Sequence, residues 1–124
     1  DIIITTGSKK LDIINHLVSD FKYIDSNIYI KKFNQTSVKL MINLTFNNLE
    51  YLVMKSSFLI CCEGGVSHVS NGFNIKTLAF YEKNRLQHTK YWTGHMKNLI
   101  LYERQKMEKI IKDERFFQII SENL

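Results

Sequence analysis

The stretch FLICCEGGVSHVSNGFNIKTLAFY, residues 58–81, decides the fold. It opens on a short apolar run, FLICC (58–62), meets an acid, two glycines and a histidine between 63 and 68, and closes on a second run, KTLAFY (76–81). Short continuous apolar runs predict strands buried on both faces. A strand-to-helix turn that needs a positive φ explains Gly64 or Gly65. It does not explain Glu63 and His68 beside them.

Further apolar runs lie on both sides of this stretch, at DIIIT (1–5), VKLMINL (38–44) and NLILY (98–102). Between the runs stand helical patterns. SKKLDIINHLVSDF (8–21) has Ser8 as a cap and apolar residues at 11, 14, 17, 18 and 21, and FNNLEYLVMK (46–55) places Leu49, Leu52 and Val53 on one face. This βαβα alternation predicts an α/β fold, a Rossmann-like parallel sheet with flanking helices on both sides. In RQKMEKIIKDERFFQIISENL (104–124) the apolar doublets predict two short helices packed on the core, the second capped by Asp113. Two segments read less simply. NIYI within 22–37 is either an edge strand or an extended loop, and EKNRLQHTKYWTGHMK (82–97) reads as a long polar loop carrying Arg85, His88, Trp92 and His95.

The 124 residues amount to one domain, without proline, repeat or low-complexity segment. Because the chain opens at Asp1 inside a strand pattern, the expectation is one domain or a fragment of a longer protein. Lys and Arg number 17 against 12 Asp and Glu, a net charge of +5, and the pI is near 9.2. That balance favours acidic partners such as nucleotide phosphates, anionic lipid or nucleic acid, against the plainer reading of a solvated basic surface. Nucleic-acid binding rests on charge alone, with no aromatic RNA-binding motif behind it, so no nucleic acid is expected. No apolar stretch approaches the ~20 residues that span a bilayer, so the expectation is a soluble, intracellular chain. Cys61 and Cys62 are expected as buried, reduced thiols. The remaining histidines, at 16, 88 and 95, lack metal-ligand spacing, and neither a metal nor a cofactor is expected.

In open parallel sheets ligands sit beyond the carboxyl ends of the strands, where helix N-termini attract phosphate. EGGVSH stands at such an end. Gly64 and Gly65 allow a pyrophosphate or sugar to approach the main chain, and Val66, Ser67 and His68 are expected to offer free amides. Glu63 can accept hydrogen bonds from sugar hydroxyls, and His68 can donate one to a phosphate oxygen. The competing reading is an ordinary turn with a satisfied core histidine. TTGSKK (5–10) also joins strand to helix, so Thr6 and Ser8, with Lys9 or Lys10, are candidates for phosphate or ribose contact; the competing reading there is an ordinary cap with exposed lysines.

LTFNNLEYLVMKSSFLICCEGGVSHVSNGFNIKTLAFY, residues 44–81, resembles the C-terminal domain of glycosyltransferase family 9, the lipopolysaccharide heptosyltransferases and their relatives. That family runs through a helix, an apolar strand, an acid-x-Gly-x-x-His turn, a small-residue helix and another apolar strand. Glu63, Gly65 and His68 fall on the acid, glycine and histidine. The resemblance implies one Rossmann-like half of a GT-B enzyme, binding a nucleotide-diphosphate sugar in a cleft shared with an N-terminal half. It further implies inverting transfer to a lipopolysaccharide or other glycan acceptor, cytoplasmic work with peripheral contact at the inner membrane face, and a general base in that N-terminal half, so that this chain has no catalytic residue of its own and is inactive alone. The loop after the motif strand commonly carries an aromatic in the family, a place for Trp92, although core packing serves Trp92 equally. The chain departs from the pattern at Glu63, where the family has Asp, at Asn74-Ile75-Lys76, where it has Gly-x-Pro, and at Tyr81-Glu82, where it has Phe-Gly. Those departures suit an alternative, a non-catalytic Rossmann-like nucleotide-binding or interaction module.

Overall fold

A computed structural model describes residues 1–6 and 12–123 of the chain. They form two compact units, residues 1–49 and 50–124.

The first unit holds strands β1 (Ile2–Thr5), β2 (Lys22–Asp25), β3 (Ile28–Phe33) and β4 (Thr36–Met41), with helix α1 (Asp12–Ser19) between the first two. Their order in the sheet is β1-β4-β3-β2. Strands β1 and β4 are parallel, as the alternation predicts, but β4, β3 and β2 form an antiparallel meander. The segment 22–37 is therefore two strands and two tight turns. Ser26 and Asn27 both take positive φ, 46° and 66°, the backbone that a two-residue hairpin needs to match the strands' twist. Asn34, at φ 53°, turns the chain from β3 into β4, helped by a short polar side chain that tolerates the left-handed region. Val38 and Leu40 are buried. Burial on both faces does not hold for β1: Ile2, Ile3 and Ile4 stay 40–47% exposed, because β4 is the strand's single neighbour in this sheet. The cap expected at Ser8 lies outside the described residues.

Helix α2 (Phe46–Met54) spans the boundary between the units. Thr45 caps it, its Oγ1 accepting the Asn48 N–H at 3.3 Å. Val53 is buried and Leu49 and Leu52 half-buried, whereas Asn47, Asn48 and Tyr51 are exposed, so the predicted face is the observed one.

The second unit is built on three parallel strands, β5 (Phe58–Cys62), β6 (Lys76–Tyr81) and β7 (Leu99–Glu103), adjacent in that order. Helix α3 (Gly65–Gly72) joins β5 to β6. A 3₁₀ turn (Lys83–Arg85) and helix α4 (Leu86–Thr93) join β6 to β7, so the expected polar loop is mostly helix. Two short helices, α5 (Met107–Ile110) and α6 (Glu114–Ser121), follow as predicted. Leu78, Tyr102 and Ile110 are the buried centre, and Phe58, Phe80, Ile100, Phe116, Ile119 and Ile120 close around them.

Asp113 caps α6 by accepting the Arg115 N–H at 2.9 Å. It also accepts a short hydrogen bond from the Tyr102 hydroxyl. Burial and the Asp113 carboxylate push the Tyr102 hydroxyl up to about 12. In return, the Tyr102 hydrogen bond holds Asp113 below the usual carboxylate range.

Candidate functional site: the turn after strand β5

The first residue past β5, Glu63, still belongs to the ladder, since its N–H bonds the Phe80 carbonyl at 2.9 Å. The chain then turns at Gly64, which adopts φ 151° and ψ −160°, a region open essentially to glycine alone. Gly65 has no such demand. Its φ is not positive, it opens α3, and a Cβ added to it would meet nothing within 4 Å. Of the two glycines, only Gly64 is required by the backbone, and the space over both is open.

Ser67 fixes the turn. Its hydroxyl donates to the Gly64 carbonyl at 2.7 Å and accepts the Gly64 N–H at 3.3 Å. The same carbonyl receives the backbone N–H of Ser67 at 3.1 Å and of His68 at 3.4 Å. Free amides at 67 and 68 are therefore a wrong expectation, because the turn uses them itself. The amides left without a partner among the described residues are those of Gly65 and Val66, at the positive end of the α3 dipole.

Helix α3 can lie close to the sheet because its inward residues are small. Ser67 and Ser70 are fully buried. Thr77 of β6 donates to the Ser70 hydroxyl at 2.7 Å, and Ser70 passes its own proton to the Ser67 carbonyl at 2.7 Å. This chain of hydroxyls ties α3 to the central strand.

His68 is exposed, so it is not a satisfied core histidine. Its ring stacks on His95, with centroids 5.7 Å apart and planes 29° apart. Glu63 is half-buried. The ends of the neighbouring strands add two groups to the same rim. Glu82, just past β6, pairs with Arg104, just past β7, at 2.8 Å, and the Arg104 N–H bonds the Tyr81 carbonyl at 2.8 Å. Glu82 stood out in the sequence only as a departure from a pattern. Arg104 carried no signal beyond its position after an apolar run.

Residues 26–119, about three quarters of the chain, match glycosyltransferase family 9 (heptosyltransferase). The chain belongs to glycosyltransferase family 9. No curated protein and no solved structure matched it. Family 9 enzymes are GT-B glycosyltransferases, and the helix-flanked parallel sheet of this family 9 chain is consistent with one Rossmann-like half of such an enzyme. The family uses a nucleotide-sugar donor and a glycan acceptor. One departure is conformationally mild: Asn74, where the pattern has glycine, takes φ 58°, a region that asparagine enters more readily than other non-glycine residues.

The remaining candidates distribute as follows. Glu63, Gly64, Gly65 and His68 lie in the β5–α3 segment of the second unit. Thr6 belongs to the first unit, where its N–H bonds the Met41 carbonyl at 3.1 Å and its Oγ1 accepts the Asn43 N–H at 3.4 Å, tying the end of β1 to that of β4. Ser8, Lys9 and Lys10 lie outside the described residues. Trp92 is 52% exposed on α4, so neither a buried place in the site nor core packing describes it. Cys62 is exposed and Cys61 half-buried, which corrects the expectation of two buried thiols. Burial, then the neighbouring Cys62, pushes the Cys61 thiol up to about 12, which disfavours its thiolate. Among the described residues no three ligating side chains converge on a metal position, and no helix is long and apolar enough to cross a membrane.

Proposed function

We propose that the chain is the donor-binding half of a glycosyltransferase that moves a heptose-like sugar from a nucleoside diphosphate to lipopolysaccharide or another cell-surface glycan. One observation carries this reading. At the carboxyl end of β5 two glycines lie under open space, only one of them is needed for the turn, and two unpaired amides stand at the start of α3. The second glycine has its reason in an approaching ligand. A diphosphate there meets the Gly65 and Val66 amides, while Glu63 accepts from sugar hydroxyls and exposed His68 donates to an oxygen.

Sugar transfer leaves a nucleoside diphosphate, so negative charge grows on the leaving group during the reaction. Fixed amides at a helix N-terminus stabilise that charge without having to reorganise. The attacking hydroxyl belongs to the acceptor glycan and the base that takes its proton to a partner half, while the nucleoside diphosphate departs, so this half binds and stabilises without a covalent role. Displacement by that hydroxyl inverts the anomeric carbon.

A second reading, a nucleotide-binding module without chemistry, is favoured by the Glu82–Arg104 pair, which places a carboxylate on the rim and neutralises the arginine there. Supplying an N-terminal GT-B half in trans and assaying sugar transfer separates the two, since only the enzyme reading gives product.

The site itself is tested by titrating UDP and ADP while following amide signals. Shifts are expected at residues 63–68. Gly65→Val should weaken binding by roughly tenfold or more with little change in melting temperature, whereas Gly64→Ala should cost about 1–3 kcal/mol of stability through its positive φ. His68→Ala should weaken binding by roughly ten- to a hundredfold for a lost charge-assisted bond. Shifts confined to the C-terminal helices, or unchanged affinity in Gly65→Val, would refute the assignment.

A further inference from the structure

Two exposed histidines from different elements of the second unit meet. His68 stands in the first turn and a half of α3, His95 follows α4, and their rings stack at 5.7 Å and 29°. Among the described residues neither imidazole has a hydrogen bond or an ion pair, so the stack is what restrains the His68 ring. Without it, an exposed side chain samples several rotamers. The backbone in turn holds His95. The Met96 N–H donates to the Thr93 carbonyl at 2.9 Å and closes a turn with Gly94 and His95 at its corners. A Cβ on Gly94 would press on the Lys90 carbonyl oxygen at 3.0 Å, so glycine fits this tight exit from α4. Beyond the turn, Met96 and Asn98 line a cleft with Ser67, Ser70 and Asn71 of α3, and Asn98 Nδ2 donates to the Asn74 carbonyl at 3.1 Å. The segment that carries His95 is thereby held against α3.

We propose that His95 is a positioning residue for donor binding, which orders the His68 ring beside the β5–α3 turn before a phosphate arrives. The inference rests on the reading of His68 as a donor contact. His68 stands three residues after Gly65, on the same face of α3, and helix geometry tilts its Cα–Cβ bond toward the turn. A ring already held there loses less rotamer freedom when it meets an oxygen, and that saving appears as affinity. Nearly parallel rings restrain each other by shape, so another flat aromatic ring at 95 serves as well. His95 itself does not touch the ligand.

The pair is tested first without ligand. In the full chain, His95→Ala should shift the His68 ring-proton signals, because the neighbouring ring current is lost; unchanged signals mean that the rings do not meet in solution and overturn the proposal. ADP and UDP are then titrated at millimolar concentration while the amides of residues 63–68 are followed. His95→Ala should weaken binding by roughly two- to tenfold, the range for immobilising one side chain, with the melting temperature unchanged. His95→Phe should bind as the parent chain does. In the His68→Ala background His95→Ala should add nothing, because its effect passes through His68. Full affinity in His95→Ala overturns the proposal. So does a loss in His95→Phe equal to that in His95→Ala, or additive losses in the double variant. Each of these leaves the donor site standing as long as His68→Ala weakens binding. Amides 63–68 unmoved by either ligand, or full affinity in His68→Ala, remove the donor contact of His68 and this inference together.

Discussion

The two faces of strand β6 are built from opposite materials. Leu78 and Phe80 point into the side closed by Tyr102, Ile110, Phe116, Ile119 and Ile120. Thr77 points to the other side, where Ser67 and Ser70 meet it through hydroxyls. Large apolar groups remove much surface from water, and the energy of folding this unit is concentrated among them. Small hydroxyl groups bury little area, but they let a helix approach the sheet closely. Such closeness sets the start of α3, with its two unpaired amides, at the end of β5. One face supplies stability and the other supplies position.

The largest test of that contrast is Leu78→Ala. Leu78 is fully buried at the centre of the apolar face, so its loss should cost about 2–5 kcal/mol and lower the melting temperature by roughly 10 °C. A drop of a degree or two would mean that the two faces share the stability evenly.

Tyr102→Phe should have a smaller effect. It removes the hydrogen bond to Asp113 and keeps the ring among Phe80 and Phe116, so roughly 1–2 kcal/mol is expected near neutral pH. The pH dependence gives a sharper readout. The Tyr102 hydroxyl, raised from 10.0 to about 12, binds its proton more tightly in the folded chain. Its contribution is fully present below pH 10 and lost as pH rises through about 12. Asp113, held low, contributes above the ordinary carboxylate range and loses that contribution as pH falls through its depressed value. Urea melts across both windows should show both losses in the parent chain, whereas Tyr102→Phe should lack the alkaline one and show a smaller acid one, because the Tyr102 hydrogen bond is the first cause of the low Asp113 value.

Thr89→Val is the smallest change. The Thr89 hydroxyl is fully buried and has no hydrogen-bond partner among the described residues, so an isosteric apolar side chain should be neutral or stabilise by up to about 1 kcal/mol. Destabilisation would show that this hydroxyl is satisfied in solution, for example by a buried water.

The order of strand, acid-glycine turn, small-residue helix and strand over 58–81 was legible in the sequence, as was the Asp113 cap. These features are set by neighbours within a few residues, where apolar runs, glycine and capping side chains act directly on the backbone. The hairpins in 22–37 were hidden because Ser26, Asn27 and Asn34 make turns usually marked by glycine. Helix α4 was hidden because its polar sequence has little apolar periodicity, its inward face being threonine.

In the candidate site the residue types were legible and their division of labour was not. Sequence alone determined that a glycine turn, an acid and a histidine follow β5, because local chemistry dictates them. Only the tertiary structure decided that Gly64 rather than Gly65 holds the positive φ, that Ser67 and His68 spend their amides on the Gly64 carbonyl, and that His68 and Trp92 face outward. Backbone conformation at a single residue, and the side of a helix that meets a sheet, depend on how distant strands pair and pack, and one residue's identity does not encode that.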